Sequence, residues 1–218
     1  MLRYVTLLVA LLMFAVVSGA IAADLPLVFE DDFEKGADRW EPTDAAAWKI
    51  VETDRGKVYN QFKNSNYKPP HRSPYNISLA KGVSVGDFVL TVKVQSTNSG
   101  AGAHRDMCLF FNYVDPAHFY YVHLGKRPDP NSSQIMIVND AARKMITNNQ
   151  SPGIPWDDGW HNVKIVRRTA EGTIEIYFDD VDKPVMTAVD KTFTSGRVGI
   201  GSFDDNGNWD DFKLHGKK

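Results

Sequence analysis

Basic and aromatic residues that could carry chemistry are concentrated in the middle of the chain, mostly near the ends of runs typical of β-strands. They are His71, Arg72, His104, Arg105, Tyr121, His123 and Gln134. Arginine and histidine can pair with a carboxylate or sulfate group, and tyrosine and histidine can move protons. The set predicts a site for a polar ligand. Tyr121 and His123 share one strand face and are the candidates for catalysis.

Acidic pairs near the two ends of the chain form a second candidate site. Asp31-Asp32 lies near the start, and Asp204-Asp205 and Asp210-Asp211 lie near the end. If the first and last strands pair, these carboxylates come together, and calcium prefers such hard oxygen ligands. The spacing is not that of an EF-hand, so a calcium site and a set of solvated turn residues both remain open.

Other metal and thiol chemistry has no motif in the sequence. His-Glu-x-x-His and Cys-x-x-Cys are both absent, so no zinc site is predicted. Cys108 is the only cysteine, and its position in the apolar run 107–111 predicts a small core residue rather than a reactive thiol. Trp156, Trp160 and Trp209 could serve as flat stacking platforms, although Trp160 is expected in the core.

The segments that must position these residues have the patterns of β-strands. Residues 87–95 alternate between apolar and polar side chains, the period of a strand with one buried face. Similar runs bounded by turn residues cover 107–113, 119–124, 134–138, 160–166, 173–178, 197–203 and 212–214. Residues 169–172 predict a hairpin turn. An all-β fold follows, with long loops at 64–74, 96–103, 125–133 and 147–158, where binding chemistry usually lies.

The N-terminus has the pattern of an export signal. Arg3 gives a positive start, residues 5–17 form an apolar run too short for a comfortable membrane span, and Ala20-Ile21-Ala22 fits the small-x-small cleavage rule. Residues 1–22 are therefore predicted to be a signal peptide and residues 23–218 a single domain. The mature protein is expected to be secreted or periplasmic, with no membrane span.

The charge balance bears on the class of partner. The chain has 25 basic and 27 acidic side chains, which leaves no electrostatic footprint for nucleic acid or for an anionic membrane. Partners must therefore be recognised by local site chemistry.

Several stretches resemble the concanavalin A-like lectin and glucanase superfamily. Residues 160–167, 172–180 and 184–185 resemble the core hairpin of its laminin-G and lectin members, and residues 196–202 resemble the penultimate strand. At the front, Phe29-x-Asp31-Asp32-Phe33 followed by Trp40 resembles the opening of laminarinase-type hydrolases and keto-disaccharide hydrolase domains.

This resemblance implies a two-sheet antiparallel jelly-roll β-sandwich with a concave sheet that faces a glycan. Members of the superfamily often hold a structural calcium ion between the first and last strands. On that basis Asp32 and Asp211 are the preferred metal ligands here, with Asp210 as a substitute.

The function predicted first is extracytoplasmic recognition of an oligo- or polysaccharide on the concave face. Laminarinase-type hydrolases carry Glu-x-Asp-x-x-Glu on one strand to supply paired carboxylates, and its absence here disfavours a retaining glycosidase. Two alternatives stay open. One is a carbohydrate-active enzyme, either similar to keto-disaccharide hydrolases or a uronate-directed lyase. The other is a non-sugar adhesion module of laminin-G type.

Overall fold

A computed structural model describes residues 25–149 and 151–217 of the chain. The predicted signal peptide, residues 1–22, lies outside the described residues. The described part consists of β-strands, turns and two short 3-10 helices, Ala45–Ala47 and Ser99–His104. Within it, no helix has the length and apolar character needed to cross a membrane.

The strands are numbered in chain order. They are β1 (Leu27–Asp31), β2 (Trp40–Pro42), β3 (Trp48–Thr53), β4 (Gly56–Gln61), β5 (Asn76–Ala80), β6 (Phe88–Ser96), β7 (Asp106–Asp115), β8 (His118–Gly125), β9 (Gln134–Asn139), β10 (Lys144–Met145), β11 (His161–Arg168), β12 (Thr173–Phe178), β13 (Met186–Val189), β14 (Arg197–Ser202) and β15 (Gly207–Gly216).

Two antiparallel sheets are formed. The eight-stranded sheet has the order β13-β12-β11-β6-β15-β4-β3, with β1 also paired to β15. The seven-stranded sheet has the order β10-β9-β8-β7-β14-β5-β2. The first and last strands pair, with Asp31 opposite Phe212, and the turn predicted at 169–172 joins β11 to β12. The predicted all-β jelly-roll sandwich is confirmed.

The main core lies between the two sheets. Because side chains alternate along a strand, every second residue of each strand points into it. On β6, Phe88, Leu90 and Val94 are fully buried. On the facing sheet, Leu109 of β7 and Val122 of β8 belong to the same apolar cluster. Burial of this area is the main term that stabilises the sandwich.

The outer face of the seven-stranded sheet carries a second apolar cluster. Because neighbouring side chains alternate, Cys108 and Phe110 of β7 and Tyr121 of β8 project away from the main core, yet all three are fully buried. Tyr67, in the loop after β4, packs against them. The centre of this sheet face, as described, is therefore covered in part by the loop after β4.

Candidate functional site

A pocket of about 260 Å³ lies at one end of the seven-stranded sheet, beside the covered face. Its polar lining includes Arg72, His104, Asp106, His123 and Arg143. Antiparallel pairing explains this convergence, because β7 begins at Asp106 where β8 ends at Gly125, and β9 begins where β8 ends. Of the residues predicted from sequence, the structure brings Arg72, His104 and His123 together here.

His123 is held in a defined orientation at the floor of the pocket. Its Nδ1 lies 3.3 Å from Nη1 of Arg143, which can only donate. Its Nε2 lies 3.4 Å from Oδ2 of Asp106. The ring also stacks on Phe203, with centroids 5.8 Å apart and an interplanar angle of 2°.

Arg143 lines the pocket and was not among the residues predicted from the sequence. Its NH1 donates to the hydroxyl of Tyr121 at 3.0 Å, its guanidinium carbon lies 4.1 Å from the centroid of Phe203, and its Nε is buried with no partner among the described residues. Arg143 lies in the tight turn between β9 and β10, and nothing in its sequence neighbourhood distinguishes it. The hairpin brings it back over β8.

Two neighbouring carboxylates lie beside the floor, Asp205 buried and Asp204 exposed. Asp205 accepts a hydrogen bond from the backbone of Asp106 at 2.9 Å and another from Asn98. Burial raises its pKa to about 6, and burial likewise raises the pKa of Asp204, which lines the pocket. The sequence analysis grouped these acids with those at the chain ends, but the structure separates them. Asp204 lines the pocket before β15 begins, whereas Asp211 lies within β15 and lines the cleft at the chain ends.

The remaining predicted site residues do not line this pocket. Tyr121 is fully buried beneath Arg143. Arg105 points away, with its side chain bonded to Ser96 and Asp158. Gln134 is buried and donates to the carbonyl of Asp129, and His71 is only partly exposed in the loop that precedes β5. Strand alternation and loop direction, which the sequence alone does not fix, decide these positions.

The tryptophans are placed differently from the expectation. Trp156 and Trp209 are buried, 3% and 0% exposed. Trp160, which was expected in the core, is partly exposed instead, with the guanidinium carbon of Arg55 5.4 Å from its ring. It lies immediately before β11, outside the ladder that begins at His161.

The chain ends meet as the calcium prediction requires, but Asp211, one of the two predicted ligands, already pairs with basic side chains. Asp32 and Asp211 line one cleft, together with Lys35, Arg39 and Lys213. The carboxylate of Asp211 lies 2.7 Å from Lys93. A calcium ion would have to displace Lys93, so the residues as arranged do not fit calcium.

A different group of side chains could hold a metal ion. Asp106, Cys108 and His123 are all buried, and their ligand atoms lie within 4.8 Å of one another. Two of the three line the pocket floor. The group combines carboxylate, thiol and imidazole donors, unlike the oxygen-only sets that bind calcium.

No family model matches the chain, and no curated protein matches it. Solved structures do. The carbohydrate-binding module CBM66 from Bacillus subtilis is 15% identical over 81% of this chain and 95% of its own, with a TM-score of 0.58. Domain 4 of AbnA, a GH43 extracellular arabinanase from Geobacillus stearothermophilus solved in complex with arabinotriose, is 10% identical over 88% and 93%, with a TM-score of 0.56.

A lectin is also similar. The metal-free form of lectin I-B4 from Griffonia simplicifolia is 11% identical over 81% of this chain and 92% of its own, with a TM-score of 0.50. At these identities the likeness shows the fold. The chain has the concanavalin A-like jelly-roll fold that its sequence predicts.

Proposed function

We propose that this protein is an extracytoplasmic carbohydrate-recognition domain that binds an acidic oligo- or polysaccharide in the pocket around Arg143. The observation that carries the proposal is the guanidinium of Arg143, which lines the pocket and is held there by its stacking on Phe203. A carboxylate or sulfate oxygen of a ligand in the pocket would accept charge-assisted hydrogen bonds from it.

The surroundings of Arg143 suit an anionic sugar. Arg72 and Arg127 line the same pocket and are exposed, so they can pair with further acidic substituents. Asn131 and Ser132 line its other side and offer neutral hydrogen-bonding groups for hydroxyls. The similar structures include a carbohydrate-binding module and a domain in complex with arabinotriose, which supports a glycan as the ligand.

Binding, rather than catalysis, is the activity that these contacts support. Tyr121 is fully buried, and burial raises its pKa far above its usual value. Its hydroxyl accepts a hydrogen bond from Arg143, which positions that guanidinium. A tyrosine in this place cannot reach a substrate to transfer a proton.

Two finer points of the sequence prediction change in this proposal. The ligand site lies at the margin of the seven-stranded sheet, because Tyr121, Phe110 and their neighbours are covered at its centre. A calcium ion between Asp32 and Asp211 forms no part of the proposal, because Lys93 neutralises Asp211.

The test is a glycan array that includes uronate-containing, sulfated and neutral oligosaccharides, followed by calorimetry on the best ligand. We expect acidic glycans to bind, with an affinity that falls as salt rises. Arg143→Ala should weaken binding by about 1.5–3 kcal/mol, the scale of a lost hydrogen bond to a charged group.

Lys144→Ala is the matched control, because Lys144 is the next residue, is exposed and lies outside the pocket. Preference for neutral glycans, or equal binding by the Arg143 variant and the wild type, would contradict the proposal.

A further inference from the structure

The pocket floor holds a donor set on two paired strands. Asp106 and Cys108 are two residues apart on β7 and therefore share one face. Cys108 lies directly opposite His123 of β8 in the ladder. Since cross-strand neighbours have Cβ atoms about 4.5–5.5 Å apart, their side chains are brought within reach of one common ion.

The distance between two of these donors matches tetrahedral coordination. Nε2 of His123 lies 3.4 Å from Oδ2 of Asp106. For zinc, with metal–nitrogen and metal–oxygen bonds of about 2.1 Å, the edge of a regular tetrahedron is also about 3.4 Å. Both atoms could therefore bind one ion at their present separation.

The third donor, Cys108, is buried and unpartnered. Its side chain is fully buried, and its thiol makes no hydrogen bond within residues 25–149 and 151–217. Burial raises the pKa of the thiol well above its usual value, and the negative charge of Asp106 raises it further. A bound divalent cation reverses both effects, because a coordinating thiol is deprotonated outright.

We propose that Asp106, Cys108 and His123 bind one zinc ion, with its fourth coordination position open to the pocket. One thiolate, one imidazole and one carboxylate form a borderline-soft set that suits zinc and does not suit calcium. Three protein ligands with an open position towards a cleft are the arrangement of accessible zinc sites. No sequence motif marks this group, because its residues come from two strands and are neighbours only through the pairing of β7 with β8.

Binding has a defined effect on protons and on Arg143. The thiol of Cys108 loses its proton to solvent when sulfur binds the ion. When Nε2 of His123 binds the ion, a neutral imidazole carries its proton on Nδ1, and that atom no longer accepts from Arg143. The same Nη1 atom of Arg143 donates to Tyr121, so the guanidinium has to turn away from Nδ1 when the ion binds.

The test uses the full chain, freed of bound metal with a chelator and then titrated with cobalt(II). Cobalt(II) binds at zinc sites, and its absorption spectrum reports which ligands hold it. We expect a thiolate-to-cobalt charge-transfer band that saturates at one ion per chain, and displacement of that band by zinc. Cys108→Ser should abolish the band and weaken zinc binding by more than about 100-fold, beyond the loss usually caused by a second-shell change. Asp106→Asn gives a second ligand variant, should Cys108→Ser fail to fold.

His118→Ala is the control, because His118 sits in an exposed cluster with Asp115 and Asp140 that could bind metal adventitiously. It should leave the band and the zinc affinity unchanged. A folded wild-type chain without the band, or a band that survives in both ligand variants, would overturn the proposal. The readout contains no sugar, so its outcome is independent of glycan binding.

Discussion

The guanidinium carbon of Arg143 lies 4.1 Å from the centroid of the Phe203 ring, within the range of a cation–π contact. The same ring stacks on His123. Phe203 thus orients Arg143, which is proposed to bind the glycan, and His123, which is proposed to bind zinc. Its backbone N–H is in turn held by Asp106 at 2.9 Å, so the pocket is organised around a residue directly after β14 that the sequence analysis did not single out.

Phe203→Leu is expected to weaken glycan binding by about 0.5–2 kcal/mol, because it removes the cation–π contact while retaining an apolar side chain. Calorimetry with the best glycan from the array measures the effect. Phe62→Leu is the control, since Phe62 packs against Lys49 and Lys63 away from the pocket. Equal affinities for the wild type and the Phe203 variant would mean that the ring does not orient Arg143.

Arg105→Ala is expected to destabilise the fold and not to act on the ligand directly. The side chain is 5% exposed and donates to the hydroxyl and the carbonyl of Ser96. Its removal leaves a buried carbonyl without its donor, at a cost of about 1–3 kcal/mol in the free energy of unfolding. Urea denaturation measures this, with Arg127→Ala as the exposed control. An unchanged unfolding midpoint for the Arg105 variant would contradict the structural role.

The carboxyl of Asp205 should make stability depend on pH in an unusual direction. Its pKa rises from the usual 3.8 to about 6 in the folded protein, so between these values the folded state binds more protons than the unfolded state. The stabilisation that Asp205 contributes is fully present below its pKa in the unfolded chain, and it is lost as the pH rises through its pKa in the folded protein. Relative to Asp205→Asn, the wild type should therefore lose stability between pH of about 4 and about 6.

Urea denaturation of both proteins at intervals of pH measures this difference. Asp180→Asn is a control of opposite sign, because hydrogen bonds from the backbone of Asp182 and Lys183 lower the pKa of Asp180. Relative to Asp180→Asn, the wild type should lose stability only as the pH falls below the usual pKa of an aspartate. If the difference in unfolding free energy between the wild type and Asp205→Asn does not change across this pH range, the pKa of Asp205 is not raised.

Calcium is expected to leave the melting temperature unchanged. An ion that binds only the native state would raise the melting temperature by mass action. Asp211, however, already pairs with Lys93 at 2.7 Å and lies 3.5 Å from Arg55. Scanning calorimetry with added calcium and with a chelator specific for calcium provides the measurement. Stabilisation by calcium that Asp32→Ala and Asp211→Ala both abolish would restore the site predicted from the sequence.

The fold could be predicted from the sequence because strand identity is largely a local property. Alternation on β6, the turn before Thr173 and the glycines of β14 are each encoded within a few residues by sterics and burial. The resemblance to the concanavalin A-like superfamily depends on those same local patterns, and the structure confirms the architecture they imply. The sequence also predicted that polar residues for a ligand lie near the ends of the central strands, and of these Arg72, His104 and His123 line one pocket.

Only the tertiary structure decided which side chains share the pocket. Arg105 and Asp106 are neighbours in sequence, yet alternation turns one towards Ser96 and the other towards His123. Arg143 and Phe203 reach the pocket through a hairpin and a strand end far apart in the chain. Asp204 lines the pocket before β15 begins, whereas Asp210 lies within β15 beside Arg55. These positions depend on ladder register and loop path, and a slip of one residue would turn every side chain of a strand to its other face.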